Sequence, residues 1–344
     1  MNRREFLAAV TTGALALGDA AEAQRVWRVG MERWDGNPAT AAILEIENPS
    51  DFRMLQLTDI HFFMPHPRPG RDEKTINDLA RLVELARPDL LLVTGDLWQD
   101  NPYGRGEEFM RFGIEQISAL GVPWLFTWGN HDKLDDYKAG HEAFTNGPHS
   151  LYRGGPGGGN YTVHVTDRSG APVWDLVCLN SNDLGLGQDQ HAWLDAVAAT
   201  EAAPVAPHAF ALFHIPLKQY DDLWNGGCAS GVRFESVAFE EEDGSTFGLL
   251  KDLEVVRACF CGHDHINDFS CCLDGVDLVY GRATGHAAYG ANRVPKGAKI
   301  ITVNCETGGY GWEAVLADGT RWREARGVQI TRYEDTPWGR RKSA

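Results

Sequence analysis

The sequence predicts an α/β protein in which two sheets pack face to face with helices outside. Short apolar runs alternate with stretches of helical spacing from Phe52 to Phe213. Most of those runs stop at a polar or glycine-led segment. After Cys261 the alternation gives way to successive strand-like runs punctuated by Asp274-Gly275 and Asp318-Gly319. Strands alternating with helices imply parallel pairing and right-handed crossovers, and strands in series imply antiparallel pairing.

Residues 24–50 read as a polar, irregular extension that Trp27 and Trp34 would pin to the body. Residues 52–58 read as a buried strand ending at Asp59. Residues 75–86 carry helical spacing (Ile76, Leu79, Leu82, Val83, Leu85, Ala86) and stop at Arg87-Pro88. A strand over 89–94 ends at Gly95-Asp96. A helix over 107–120 is closed by Gly121, and a strand over 122–127 ends at Gly129-Asn130-His131. In parallel sheets ligands bind outside the carboxyl ends of the strands, so these three endings should converge. The pattern recurs as a strand over 174–179, a helix over 189–199, and strands over 209–213 and 255–261 that end at His214 and Gly262-His263. Residues 277–280, 299–304, 312–316 and 328–333 read as antiparallel strands. Residues 153–159 form a glycine-rich loop without the lysine or context of a phosphate-binding loop. Residues 239–248, with Glu240-Glu241-Glu242-Asp243, read as a solvated excursion.

The chain of 344 residues is 43% hydrophobic and 23% charged, with a formal net charge of -16. That balance suits a globular protein and argues against stable nucleic-acid binding through phosphate contacts. At the N-terminus, Arg3-Arg4 precedes an apolar stretch from Leu7 to Leu17, followed by Ala21-Glu22-Ala23. This order resembles a twin-arginine signal peptide over residues 1–23. The stretch is too short for a bilayer, which needs ~20 apolar residues, so no membrane span is expected in the mature protein. The expected organisation is signal peptide 1–23, extension 24–50, a main α/β domain 51–316 and a C-terminal strand and tail 317–344. The expected location is periplasmic or secreted, with the twin-arginine export machinery as a partner. Seven cysteines follow the signal segment. Their odd number leaves at least one outside any internal disulfide. Cys259 and Cys261 alternate along one strand and should share a face. A pairing among Cys228, Cys271 and Cys272 stays open.

The polar strand endings carry the chemistry. Asp59 and His61 flank one residue, Asp96 follows a glycine, Asn130 offers an amide oxygen, and His214, His263 and His265 offer imidazoles. Carboxylates, an amide oxygen and neutral imidazoles are the donors that two divalent cations require. Two close cations lower the pKa of water and clamp the oxygens of an in-line displacement at phosphorus. His66, His141, His149, His164, His191, His208 and His286 read as packed or surface residues.

Asp59-Ile60-His61, Gly95-Asp96, Gly129-Asn130-His131-Asp132, His214 and Gly262-His263-Asp264-His265 resemble the motif set of the calcineurin-like metallophosphoesterases. The likeness runs from about Phe52 to Tyr289. It implies the αββα sandwich with a dinuclear metal site at the strand C-terminal ends. It assigns Asp59, His61, Asp96 and His265 to a first ion, and Asp96, Asn130, His214 and His263 to a second, with Asp96 bridging. It implies Mn, Fe or Zn, as divalent or mixed-valence ions. His131 would stabilise charge on the phosphoryl group and protonate the leaving oxygen, with Asp132 orienting it. The nucleophile would be a metal-bridging hydroxide.

The flanking sequences resemble a branch related to purple acid phosphatases, with two departures. The purple enzymes carry a tyrosine ligand three residues after the bridging aspartate, where this chain has Gln99. Serine/threonine phosphoprotein phosphatases have arginine before Gly-Asn-His, where this chain has Trp128. The expected function is phosphomonoester hydrolysis of a small substrate. The alternatives are a phosphodiesterase acting on nucleotides or glycerophosphodiesters, and a non-catalytic metal- or phosphate-binding protein. Phe62, Phe63, Trp98, Tyr103 and Tyr220 are candidates to stack on a substrate ring.

Overall fold

The computed structural model describes residues 41–64, 67–197 and 203–339. The signal segment with Arg3-Arg4, and Trp27 and Trp34, lie outside the described residues. The chain opens with β1 (Ala41–Glu45) and β2 (Phe52–Leu57), then α1 (Arg71–Ala86), β3 (Leu90–Thr94), α2 (Gly106–Ser118), β4 (Trp124–Thr127) and α3 (Tyr137–Asn146). It continues with β5 (Tyr161–Thr166), β6 (Pro172–Cys178), α4 (Gln188–Val197), β7 (Ala209–Leu212), α5 (Lys218–Asn225), β8 (Ser230–Arg233), α6 (Ser245–Asp252) and β9 (Val256–Cys261). Last come β10 (Asn267–Leu273), β11 (Val276–Tyr280), β12 (Ala298–Asn304), β13 (Gly309–Val315), β14 (Arg321–Trp322) and β15 (Gln329–Ile330).

Two sheets result. The six-stranded sheet runs β14-β13-β12-β2-β3-β4, and the nine-stranded sheet runs β1-β5-β6-β7-β9-β11-β10-β8-β15. Parallel strands β2–β3–β4 form one side of the six-stranded sheet, and parallel strands β6–β7–β9 the middle of the nine-stranded one. In both sheets, therefore, the strands end at one edge, where the predicted ligands sit. Alternation sorts the side chains of the nine-stranded sheet. Leu176, Cys178, Phe210, Leu212, Ala258 and Phe260 join the core shared with the six-stranded sheet. Val177, Ala211, Cys259 and Cys261 join Trp193, Leu194, Tyr220, Trp224 and Leu250 under the outer helices. Burial on both faces explains the continuous apolar runs read from the sequence. Across the middle, Phe210 and Phe260 meet edge to face at 5.1 Å. Truncating either to alanine would cost about 3–5 kcal/mol.

Several expectations are corrected. The irregular extension contains β1, which pairs in parallel with β5. The first helix begins at Arg71, a turn before its apolar spacing, because its opening turn is charged (Asp72, Glu73). The strand predicted over 328–333 shortens to β15 and pairs in parallel with β8, not antiparallel. β11 is antiparallel to β10 but parallel to β9. The acidic excursion over 239–248 is not solvated throughout: Glu242 is buried, its carboxylate accepts from the backbone N–H of Lys218 and Gly244, and α6 begins at Ser245. All seven cysteines are free thiols; Cys228 and Cys272 are exposed and the other five buried.

One buried ionic cluster ties the sheets together beside the site. Asp268 on β10 accepts from Arg282 Nε at 2.7 Å and from Lys299 Nζ, on β12, at 2.7 Å. All three residues are buried. The two cations outweigh burial and hold the Asp268 carboxyl below its usual range.

Candidate metal centre

Five strand endings build the centre, and the backbone bends sharply at most of them. Asp59 (φ 54°), His61 (φ 56°), Asp96 (φ 54°) and His263 (φ 79°) all lie in the left-handed region. Such a conformation costs roughly 1–3 kcal/mol per non-glycine residue and persists only where surrounding contacts enforce it. Here they do. Asp59 N donates to Gly95 O at 3.2 Å, His61 N to Asp96 O at 2.9 Å, and Gly262 N to His214 O at 2.9 Å. Gly95 also has positive φ (86°), and a Cβ there would run into the His214 imidazole. A Cβ at Gly129 would meet the Asp96 carboxylate. The glycines before Asp96 and Asn130 are therefore what let the chain pass this close to the ligands.

The side chains converge as two clusters that share one carboxylate. Asp59, His61, Asp96 and His265 form the first, and Asp96, His214 and His263 the second, each with ligand atoms within 4.8 Å of one another and every residue buried. His61 Nε2 lies 3.1 Å from His265 Nε2 and 3.4 Å from Asp96 Oδ2. His265 Nε2 lies 3.1 Å from Asp59 Oδ1. His214 Nε2 lies 3.1 Å from Asp96 Oδ2 and 3.2 Å from Asn130 Oδ1, which brings Asn130 into the second cluster. Donors about 2.0–2.2 Å from a cation stand about 3.0–3.4 Å apart along a polyhedron edge, and the observed spacings match. Asp96 Oδ2 is buried without a hydrogen-bond partner, as an oxygen between two cations should be. His214 Nδ1 donates to the Thr94 carbonyl at 2.9 Å, so Nε2 is the nitrogen turned toward the cluster. The residues present fit two cations.

Charge follows the same plan in the first cluster; in the second, burial is outweighed by Asp96 and Asp59, which raise His214 to about 10, so an ion there would have to displace its proton. Burial pushes His61 down to about 3 and His265 down to about 4, so both imidazoles are neutral ligands at physiological pH. Burial acts against the Asp59 and Asp96 carboxylates, but the surrounding histidines outweigh it and hold both below their usual range.

His131 stands beside the clusters, its ring 5.1 Å from that of His61. Its Nδ1 lies 3.0 Å from Asp100 Oδ1 and 3.0 Å from Gln99 Nε2. Burial lowers its pKa, but the Asp96 and Asp100 carboxylates prevail and raise it. With Nδ1 engaged, Nε2 is the nitrogen left for a substrate.

The structure contradicts the orienting role expected of Asp132. Its carboxylate accepts from the backbone N–H of Asp96 (2.8 Å), Leu97 (2.8 Å), Trp98 (3.3 Å) and Gly129 (2.8 Å). Asp132 clamps the two ligand loops together. Burial and the neighbouring Asp96 push its carboxyl up to about 8, against the pull of the Gly129 and Trp98 amides. All four neighbours are donors, so the ionised form is the one these contacts fit. Asp100 takes the place next to His131 that the sequence reading gave to Asp132. The clue was in the sequence, an aspartate in the loop that follows Asp96, but spacing alone did not separate the two.

The flanking residues divide similarly. Gln99 lies outside both clusters; its Nε2 donates to Asp100 Oδ2 at 2.7 Å and sits 3.0 Å from His131 Nδ1. Trp128 is buried among Trp98, Tyr137, His141 and Phe144, with Nε1 donating to the Tyr152 hydroxyl. Of the aromatics offered for substrate stacking, Phe62, Trp98 and Tyr220 are core residues, whereas Tyr103 is 98% exposed. The reading missed Tyr289, whose ring stacks on His265 at 4.1 Å.

With this geometry in place, similarity to known proteins is informative. The calcineurin-like phosphoesterase family matches residues 52–267. The chain belongs to that family. Its members are hydrolases of phosphate esters, and the two-sheet fold and shared-aspartate clusters agree with the assignment. Among curated relatives, "Probable inactive purple acid phosphatase 28" of Arabidopsis thaliana is 28% identical over 340 residues, covering 85% of each chain. "Probable inactive purple acid phosphatase 29" of the same plant is 26% identical, covering 83% of this chain and 86% of its own. Among solved structures, a dimetal phosphatase from Danio rerio shares the fold with a TM-score of 0.50 at 12% identity, over 73% of this chain and 95% of its own.

Proposed function

We propose that this metallophosphoesterase is a phosphomonoesterase with two ions of Mn, Fe or Zn. The observation that supports it is the pair of clusters sharing Asp96 with His131 at their edge. Bound there, the ions would supply Lewis acidity toward the phosphoryl oxygens and a lowered pKa for water. Asp59, His61, Asp96 and His265 would hold one ion, and Asp96, Asn130, His214 and His263 the other. His131, whose pKa Asp96 and Asp100 raise against burial, would donate from Nε2 to the leaving oxygen. Asp100 would stabilise the imidazolium through Nδ1. Burial lowers Lys296 to about 7, against the pull of Asp59 and Glu235 toward its charged form.

The names of the two plant relatives favour a second reading, a non-catalytic binder of metal and phosphate. Against it stands His61, which fills out the first cluster where Gln99 offers no ligand. Hydrolysis of p-nitrophenyl phosphate and bis-p-nitrophenyl phosphate separates these readings. Faster turnover of the monoester supports the proposal, faster turnover of the diester makes the protein a phosphodiesterase, and no turnover with both ions bound makes it a binder.

Among the described residues no helix is long and apolar enough to cross a membrane. Arg3-Arg4 and the apolar stretch behind them support export to the periplasm or beyond by the twin-arginine route. Replacing both arginines with lysine should leave precursor in the cytoplasm; unchanged export would refute it.

A further inference from the structure

The acidic run that the sequence placed in solvent brings one carboxylate to the metal centre. Glu240 Oε1 lies 3.3 Å from His263 Nε2, and the Glu240 side chain is 35% exposed. Glu240 has φ 54°, a left-handed conformation for a non-glycine residue. The loop that imposes it is fastened on both sides. Ala238 N donates to the Asp264 carboxylate at 3.1 Å, between the two histidines of the last motif. Glu241 N donates to Leu184 O at 2.9 Å, and the Glu242 carboxylate caps Lys218 and Gly244. These ties aim Glu240 inward and leave Glu241 outside.

A carboxylate on one ring nitrogen of a ligand histidine fixes which nitrogen keeps its lone pair. His214 gives Nδ1–H to the Thr94 carbonyl and offers Nε2. His263 turns its Nε2 to the Glu240 carboxylate, and a proton held there would leave Nδ1 for the cluster. The first cluster contains two carboxylates, Asp59 and Asp96, whereas the second has only the shared Asp96. Asn130, His214 and His263 bring it no negative charge. Glu240 offsets that shortage through the imidazole.

We propose that Glu240 is a positioning residue for the second ion, holding His263 in the Nδ1-ligating tautomer and raising that site's affinity. The inference rests on the two-ion reading. Its test is titration of the apo full-length protein with Mn(II) alone, free Mn(II) being read by electron paramagnetic resonance. The His214→Ala variant identifies which of the two binding steps belongs to the second site. Glu240→Ala should weaken that step about 10–100-fold and leave the other unchanged. Glu240→Gln, which keeps an acceptor oxygen, should recover part of the loss, and Glu241→Ala should bind as the wild type does. An unchanged second step in Glu240→Ala, or an equal loss at both steps, would overturn the proposal. So would complete loss of the second ion in Glu240→Gln, since that would make Glu240 a ligand. A wild-type protein that binds fewer than two ions would sink the two-ion reading itself. Two ions with Glu240→Ala unaffected would sink only this inference.

Discussion

Asp132 and Asp100 are two aspartates close to His131 with different jobs, and a matched pair of asparagine substitutions should separate them. Asp132 accepts four backbone N–H groups, two on each carboxylate oxygen. An asparagine can serve only one of those pairs; its NH2 group would confront the other two donors. Each buried donor left unpaired costs about 1–3 kcal/mol, so Asp132→Asn should cost roughly 2–6 kcal/mol. That is a large part of the 5–15 kcal/mol typical of a folded domain. At about 2 °C per kcal/mol for a chain of this size, Tm should fall by roughly 4–12 °C, and metal affinity should fall with it because Asp96 and Gly129 are among the loosened groups. Asp100→Asn keeps a neutral oxygen near His131 Nδ1 and removes only the charge. The difference between a charged and a neutral hydrogen bond, about 1–1.5 kcal/mol, should slow turnover about tenfold with Tm and metal content unchanged. Thermal melts, metal analysis and kcat on the two variants decide the matter. If Asp132→Asn melts like the wild type, keeps both ions and loses turnover, Asp132 orients His131 after all.

Other substitutions probe the rest of the site. Gly95→Ala should abolish binding at the second site, because its Cβ would displace the His214 imidazole; metal content near two ions would contradict this. Asp268→Ala should destabilise the protein by about 3–5 kcal/mol by stranding the buried Arg282 and Lys299, as read by urea unfolding. Because the folded Asp268 carboxyl titrates below its unfolded value, its stabilisation is complete above about pH 4 and drains as pH falls through the lower folded value. The alanine variant should therefore lose less stability than the wild type on acidification below about pH 4. His131→Ala should retain both ions and lose about 100-fold or more in kcat, and loss of metal would show it to be a ligand.

The sequence carried the parallel strands and the ligands at their ends because both are local signals. A buried parallel strand is a continuous apolar run, and the residue just past it is marked by type, as at Asp59, Asp96 and His214. Partnership across loops was not legible. Asp100 and Asp132 are chemically identical candidates in sequence, and only the folded turn shows that Asp132 faces amides while Asp100 faces His131. The acidic run misled for a related reason: Glu240, Glu241 and Glu242 have one composition but point to a ligand, the outside and two backbone amides. β1 and β15 are short edge strands whose pairing depends on neighbours far along the chain. Tyr289 belongs to no motif and reaches His265 only through the fold.

Metal equivalents and turnover measured together on one sample test the two-ion centre most directly. Apo protein refilled stepwise with Mn(II) should hydrolyse p-nitrophenyl phosphate only as the second equivalent binds, with a plateau at two ions per chain. A plateau at one ion, or two ions bound with no hydrolysis of either the mono- or the diester, would contradict the account.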